Sequence, residues 1–153
     1  MSAPYTPILA TLGYVYDRDR GRVLLMHRDA RADDQHYGKY NGLGGKLEPR
    51  EDIVSGMRRE LREESGLEAT SLQLAGTISW PGFGKGGEDW FGFIFLIDGF
   101  EGELVHGSPE GRLEWVPRER LFDLPMWEGD HHFLPLVFAE PLRPFHGVMP
   151  YHD

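Results

Sequence analysis

A fold that mixes helices and strands in one small domain, α/β or α+β, is predicted by three features of the sequence. Apolar, β-branched and aromatic runs at Ile8 to Tyr16 and Val23 to Met26 flank the polar turn Asp17-Arg18-Asp19-Arg20-Gly21, the pattern of a β-hairpin. Between Glu51 and Ser65 the apolar residues Ile53, Val54, Met57 and Leu61 recur at helical spacing, and Gly66 stands where a helix would stop. Two more strand-like runs follow, Leu72 to Ile78 and Phe91 to Ile97. With 153 residues, 40% of them hydrophobic, the chain suits one domain over residues 1–153 with a core of its own.

The connections complete this picture. Residues Arg28 to Tyr40 are polar and lead into Asn41-Gly42-Leu43-Gly44-Gly45-Lys46, read as a glycine loop whose backbone can approach a ligand closely. Pro81 to Gly87 is a second Gly-rich loop, expected to be mobile. A short strand at Leu113 to Val116 precedes a last helix around Asp130 to Ala139, and Phe145 to Tyr151 is expected to return as an edge strand.

Composition excludes several functions. The chain has 16 Lys and Arg against 25 Asp and Glu, a net charge of −9, which argues against gripping duplex nucleic acid through its phosphates. A polyanionic substrate would need a metal or a local basic pocket. There is no cysteine, so thiol nucleophiles, thiolate metal sites and disulfides are excluded. The first residues carry no basic and apolar leader pattern, and no run approaches the length of a membrane span. A cytoplasmic protein is the default expectation.

The chemistry concentrates in the helix. Glu60, Glu63 and Glu64 are spaced i, i+3 and i+4 and fall on one side of it, while Arg58, Arg59 and Arg62 are assigned to the opposite arc. Glu60 and Glu64 repel by about 0.2–0.5 kcal/mol, and acids in a last helical turn oppose the helix dipole at a cost of about 0.3–1 kcal/mol. Stability alone does not favour this arrangement. A hard cation reverses both signs, because Mg²⁺ prefers carboxylate oxygens and leaves positions for water and phosphate. The glycine segment ending at Lys46 adds backbone groups and one cation nearby, as a diphosphate requires.

From Gly45 to Leu67 the chain reads GKLEPREDIVSGMRRELREESGL. This resembles the Nudix signature G-x5-E-x7-R-E-U-x-E-E-x-G-U, where U is a bulky aliphatic residue, at every specified position. The resemblance implies a Nudix α/β/α sandwich around a mixed β-sheet and hydrolysis of nucleoside diphosphates linked to another moiety. It implies metal ligation by Glu60, Glu63 and Glu64 with the Gly44 carbonyl as a further candidate ligand, Mg²⁺ as the cofactor and Mn²⁺ as its alternative. Arg59 would orient the acids, pairing with Glu63 one turn on. Glu51, near the helix N-terminus, is read as structural or as a support to the metal-binding acids. Glu110, in the segment Ser108-Pro-Glu-Gly-Arg112, resembles the extra acid that some family members bring to the metal. The expected reaction is attack on phosphorus by a water that metal activates or a glutamate deprotonates.

A wider resemblance covers GKYNGLGGKLE (Gly38 to Glu48), LPMWEGDHHFLPLV (Leu124 to Val137) and PFHGVMPY (Pro144 to Tyr151). These segments are similar to the MutT-type oxidised-purine nucleoside triphosphatases, which act on 8-oxo-dGTP and related nucleotides. That similarity implies a purine pocket of Asn41, Trp127 and Asp130: a π face to stack on, and polar groups to read ring-edge donors and acceptors. Mammalian members carry two adjacent aspartates after the tryptophan, where this chain has Glu128-Gly129-Asp130. Trp80 and Trp90 are candidate pocket walls, with core filling the alternative. Arg28 is a candidate for facing the phosphates. His131 and His132 point in different directions on a helix and are read as structural. The leading expectation is a nucleoside triphosphate pyrophosphohydrolase binding a small nucleotide as a monomer or homodimer. The alternatives are a Nudix hydrolase of another nucleotide derivative and a non-catalytic nucleotide sensor.

Overall fold

Alternation along the central strands explains why this sheet is covered on both faces. In β1 (Ile8–Asp17) Tyr14 and Tyr16 point to one core and Val15 to the other. In β2 (Arg22–His27) Val23 and Leu25 oppose Leu24 and Met26, and in β6 (Trp90–Glu101) Ile94 and Leu96 oppose Phe95 and Ile97. A strand apolar on both faces must be buried on both. The computed structural model, which describes residues 3–105 and 109–151, meets that requirement with a helix on each side. Ser108, at the start of the segment bearing Glu110, lies outside the described residues.

The remaining elements are β3 (Tyr40–Asn41), β4 (Leu43–Lys46), α1 (Ile53–Ser65), β5 (Glu68–Trp80), β7 (Arg112–Pro117), a 3₁₀ turn (Arg118–Asp123), α2 (Glu128–Val137) and β8 (Phe145–Val148). The strands run in the order β3-β2-β1-β6-β5-β8, with β4 on β1 and β7 on β2. The β1–β6 and β5–β8 pairs are parallel and the others antiparallel. This is a mixed sheet in an α/β/α sandwich. Helix α1 seals the Val15/Leu24/Phe95 core through Met57 and Leu61, both 0% exposed, and α2 seals the Tyr14/Leu25/Ile94 core through Phe133, Leu134 and Val137. No helix of the described residues is long and apolar enough to cross a membrane.

The sheet forks at its centre. β1 pairs with β2 only over Val15–Asp17 and Arg22–Leu24. Beyond Tyr14 the two strands part, and Tyr40–Lys46 fills the gap, with β3 on β2 and β4 on β1. Asn41 to Lys46 is therefore sheet, where the sequence reading expects a loop. Its glycines are needed because strands crowd it: a Cβ on Gly42 would lie 2.8 Å from the Gly13 carbonyl oxygen, and one on Gly44 2.0 Å from that of Thr11.

Helix α1 begins two residues later than expected, with Asp52 as its N-cap accepting the Ser55 backbone N–H at 2.8 Å. Gly66 ends it in the left-handed region at φ 78°. Val54 departs from the expected apolar stripe: it is exposed, and Gly56 and Ser65 are buried in addition to Met57 and Leu61. The strands β5 and β6 extend well beyond their apolar centres because they pair with each other from Glu68–Glu101 to Trp80–Trp90. Helix α2 starts at Glu128, earlier than expected, and β8 is the anticipated edge strand, running parallel to β5.

Candidate active site

The fork and α1 together place the acids. Gly45 lies against Glu60 so closely that a Cβ there would be 2.7 Å from Glu60 Oε1. The Gly44 N–H donates to Glu64 Oε1 at 2.9 Å. Burial, the neighbouring Glu60 carboxylate and, more weakly, Glu110 push the Glu64 carboxyl well above the usual carboxylate range. Two α1 acids thus face β4, with Glu110 near enough to add to the repulsion.

Arg59 organises the flank. Its Nε and Nη2 donate to the two oxygens of Glu51 at 2.7 and 2.9 Å, a bidentate pair, while Nη1 reaches Glu60 at 3.0 Å and Glu63 at 3.2 Å. The expected Arg59–Glu63 pair is present, but Arg59 does not lie on an arc opposite the acids: it sits among them. Glu51 is held by this guanidinium, which, with the Glu48 backbone N–H, keeps its carboxyl down at about 2. Its acidic neighbours raise the Arg59 pKa in turn. Glu63 is 58% exposed and turned toward Arg59. Among the described residues, no three His, Asp or Glu side chains stand close enough together to hold a metal ion as they are posed.

A cavity of about 420 Å³ opens beside the β4 glycines that these acids contact. Gly44, Gly45, Lys46 and Glu110 line one end; Asn41, Asp130, Trp80, Trp90 and Trp127 line the other, with Arg28 on the wall. Every candidate binding residue named from the sequence is thus in one cavity, although two carry second roles. Trp80 is also part of the core at 9% exposure, and the Arg28 guanidinium is engaged by Asp34 at 2.8 Å. Lys46 Nζ lies 5.7 Å from the centre of the Trp90 ring. Asp130 is 7% exposed in the first turn of α2, and burial raises its carboxyl to about 7. His27 stacks on Tyr40 at 4.2 Å and serves the sheet end.

Besides the β1 residues Ala10, Thr11 and Leu12, the lining residues that escape sequence reasoning include Gln35, His36, Phe83 and Tyr151. Phe83, in the second glycine loop, meets Trp80, Trp90, Trp127 and Tyr151 with ring centroids 5.1 to 6.3 Å apart. That loop is tied down, because Gln35 Nε2 donates to the Phe83 carbonyl at 2.9 Å and Gly82 N–H to Asp89 at 2.9 Å. A phenylalanine amid glycines was the one visible signal; the other three lie on a polar loop or the tail, where spacing carries no information.

Glutamates of α1 set against a glycine strand, in a sandwich with a forked sheet, define the architecture of a Nudix hydrolase. The family model described as NUDIX domain matches residues 6–137, and the chain belongs to that family. It is 32% identical over 122 residues to the oxidized purine nucleoside triphosphate hydrolase of Mus musculus, covering 76% of this chain and 72% of that one. It is 33% identical over 117 residues to the Nudix hydrolase YvcI of Bacillus subtilis, covering 74% and 69%. Its fold matches the crystal structure of a MutT protein from Bacillus halodurans with a TM-score of 0.81 and 31% identity, over 95% of this chain and 91% of that one.

Proposed function

We propose that this Nudix hydrolase is a Mg²⁺-dependent nucleoside triphosphate pyrophosphohydrolase that converts oxidised purine nucleotides such as 8-oxo-dGTP to the monophosphate and pyrophosphate. The observation that carries the proposal is the cavity of about 420 Å³ with Glu110, Lys46 and the glycine backbone that abuts the α1 glutamates at one end and aromatic rings with polar edges at the other. Its two ends suit the two ends of a nucleotide. The similarity to a mouse protein named for oxidised purine nucleoside triphosphates supports the choice of base.

The donor set fits a hard divalent cation. Glu60, Glu64 and Glu110 are oxygen donors; burial first, then the Glu60 and Glu110 carboxylates, raise the Glu64 carboxyl, and added positive charge would offset both. Glu63 joins by turning from Arg59, and the Gly44 carbonyl is the backbone candidate. When bound, the metal supplies Lewis-acid polarisation of the phosphoryl group and charge neutralisation. Arg59, held by Glu51, keeps Glu60 and Glu63 oriented, and a glutamate of this cluster takes the proton of the attacking water. Lys46 and Arg28 meet phosphate charge. Trp127 offers a stacking face, Trp80 and Trp90 wall the base, and Asn41 and Asp130 read its edge.

The test is pyrophosphate and phosphate release from canonical, 8-oxo and 2-hydroxy purine triphosphates, dinucleoside polyphosphates and ADP-ribose, with Mg²⁺ and with EDTA. The expected result is EDTA-sensitive pyrophosphate release, fastest on an oxidised purine triphosphate. Turnover of ADP-ribose or a dinucleoside polyphosphate alone would refute the substrate assignment, and turnover undiminished in EDTA the metal.

A further inference from the structure

The aromatic end of the cavity contains a hydrogen bond that determines how Trp127 can be oriented. Trp127 Nε1–H donates to His36 Nδ1 at 2.7 Å, with the two rings at 86° and 5.6 Å between centroids. An indole N–H is only a donor, so Nδ1 must be the unprotonated nitrogen and the imidazole neutral. The surroundings enforce this. Burial first, then the positive charge of Arg28, pull the His36 imidazole down to about 4; Asp34 opposes them, and Lys39 and Lys85 add to the depression.

His36 is itself fastened. Its backbone N–H donates to Asp34 Oδ1 at 3.1 Å, and Asp34 Oδ2 accepts from Arg28 Nε at 2.8 Å. Next to it Gln35 holds the Phe83 carbonyl, and Lys85 Nζ donates to the Asp33 carbonyl at 3.0 Å, so the loops 28–39 and 81–87 are joined at two points. Lys39 Nζ stands 4.6 Å over the Trp127 ring. A chain of contacts therefore runs from Arg28 through Asp34 and His36 to the indole plane.

We propose that His36 is a positioning residue for base recognition: by accepting the Trp127 indole N–H it fixes the plane on which the purine stacks, and its loop references that plane to Arg28. This rests on the nucleotide reading of the cavity given above. A flat ring free to swing about its side-chain torsions would have to be ordered by each incoming base, and a ring already held avoids that cost.

The experiment compares the full-length wild type with His36→Leu and His36→Asn. Leucine retains bulk without an acceptor, whereas asparagine Oδ1 stands at the same bond distance from Cα as Nδ1. With 8-oxo-dGTP and Mg²⁺, His36→Leu is expected to raise KM about fivefold to tenfold at unchanged kcat, the worth of one neutral hydrogen bond. His36→Asn should return KM to within about twofold of wild type. In parallel, the Trp127 indole N–H resonance, identified by its loss in Trp127→Phe, should shift in His36→Leu and keep its hydrogen-bonded position in His36→Asn. A KM unmoved in His36→Leu, or equal losses in both variants, overturns the positioning role. A Trp127 resonance unmoved in His36→Leu overturns the hydrogen bond. Absence of turnover of every purine triphosphate by the wild type overturns the functional reading, and the stacking role with it.

Discussion

Asp130 offers the sharpest check on the electrostatics of the cavity. Its carboxyl is 7% exposed, and burial raises its pKa from 3.8 to about 7. Between those values the folded protein binds a proton that the unfolded chain does not, so stability is greatest at the acid end of the window and falls as pH rises through about 7. At about 1.4 kcal/mol per pH unit, the charged carboxylate costs up to ~4 kcal/mol at pH 8. The first turn of α2, whose dipole favours a negative charge, makes that an upper bound. Asp130→Asn keeps the shape and removes the titration. Urea unfolding from about pH 4.5 to 8 should give the two proteins similar stability at the acid end and a growing advantage to the variant above it, with the m-value unchanged. A difference between wild type and variant that is flat with pH, or that favours wild type increasingly toward pH 8, would refute the assignment of a buried, uncompensated carboxyl.

Glu64→Gln removes a carboxyl that burial and Glu60 raise; in EDTA near pH 8 the variant should melt higher than wild type, by about 2–4 °C per kcal/mol of relieved repulsion. The rise in Tm that Mg²⁺ gives the wild type should vanish in it, and a Mg²⁺ response equal to wild type would remove Glu64 from the metal set. Gly45→Ala should fold normally while weakening Mg²⁺ and lowering turnover, since its Cβ meets only the movable end of Glu60; Gly44→Ala should lose on the order of 3 kcal/mol in urea unfolding, because its Cβ meets the Thr11 backbone. Trp127→Ala should raise KM for purine nucleotides at least tenfold, roughly the worth of one lost base stack, with Tm little changed.

Much of this molecule is legible in its sequence where the forces are local. Helix α1 is visible because an apolar stripe, a capping residue and a terminal glycine coincide, and the acids that share its face follow from its period. The strand cores are visible through their β-branched and aromatic residues. Asn41 to Lys46 is misread as a loop because its glycines are taken to let backbone approach a ligand, whereas in the fold they admit backbone into a gap made by β1 and β2, strands distant in sequence. The same limit hides the Arg59–Glu51 pair, which depends on how the chain enters α1, and hides Val54, whose exposure is set by what α1 packs on. His36, Gln35 and Tyr151 join the cavity only through contacts between loops and tail that no periodicity encodes.

The segment filling the fork also acts as a ruler. Between Asn41 in β3 and Gly44 in β4, beside the glutamates, lie only Gly42 and Leu43, so under the proposed function the spacing between what would be recognised and what would be cut is a property of the backbone. The loops at 28–39 and 81–87 stand outside that span. If the cavity takes a nucleotide as proposed, their side chains can be exchanged, and the nucleobase accepted would drift with them while the bond to be cut would stay in register with the acids.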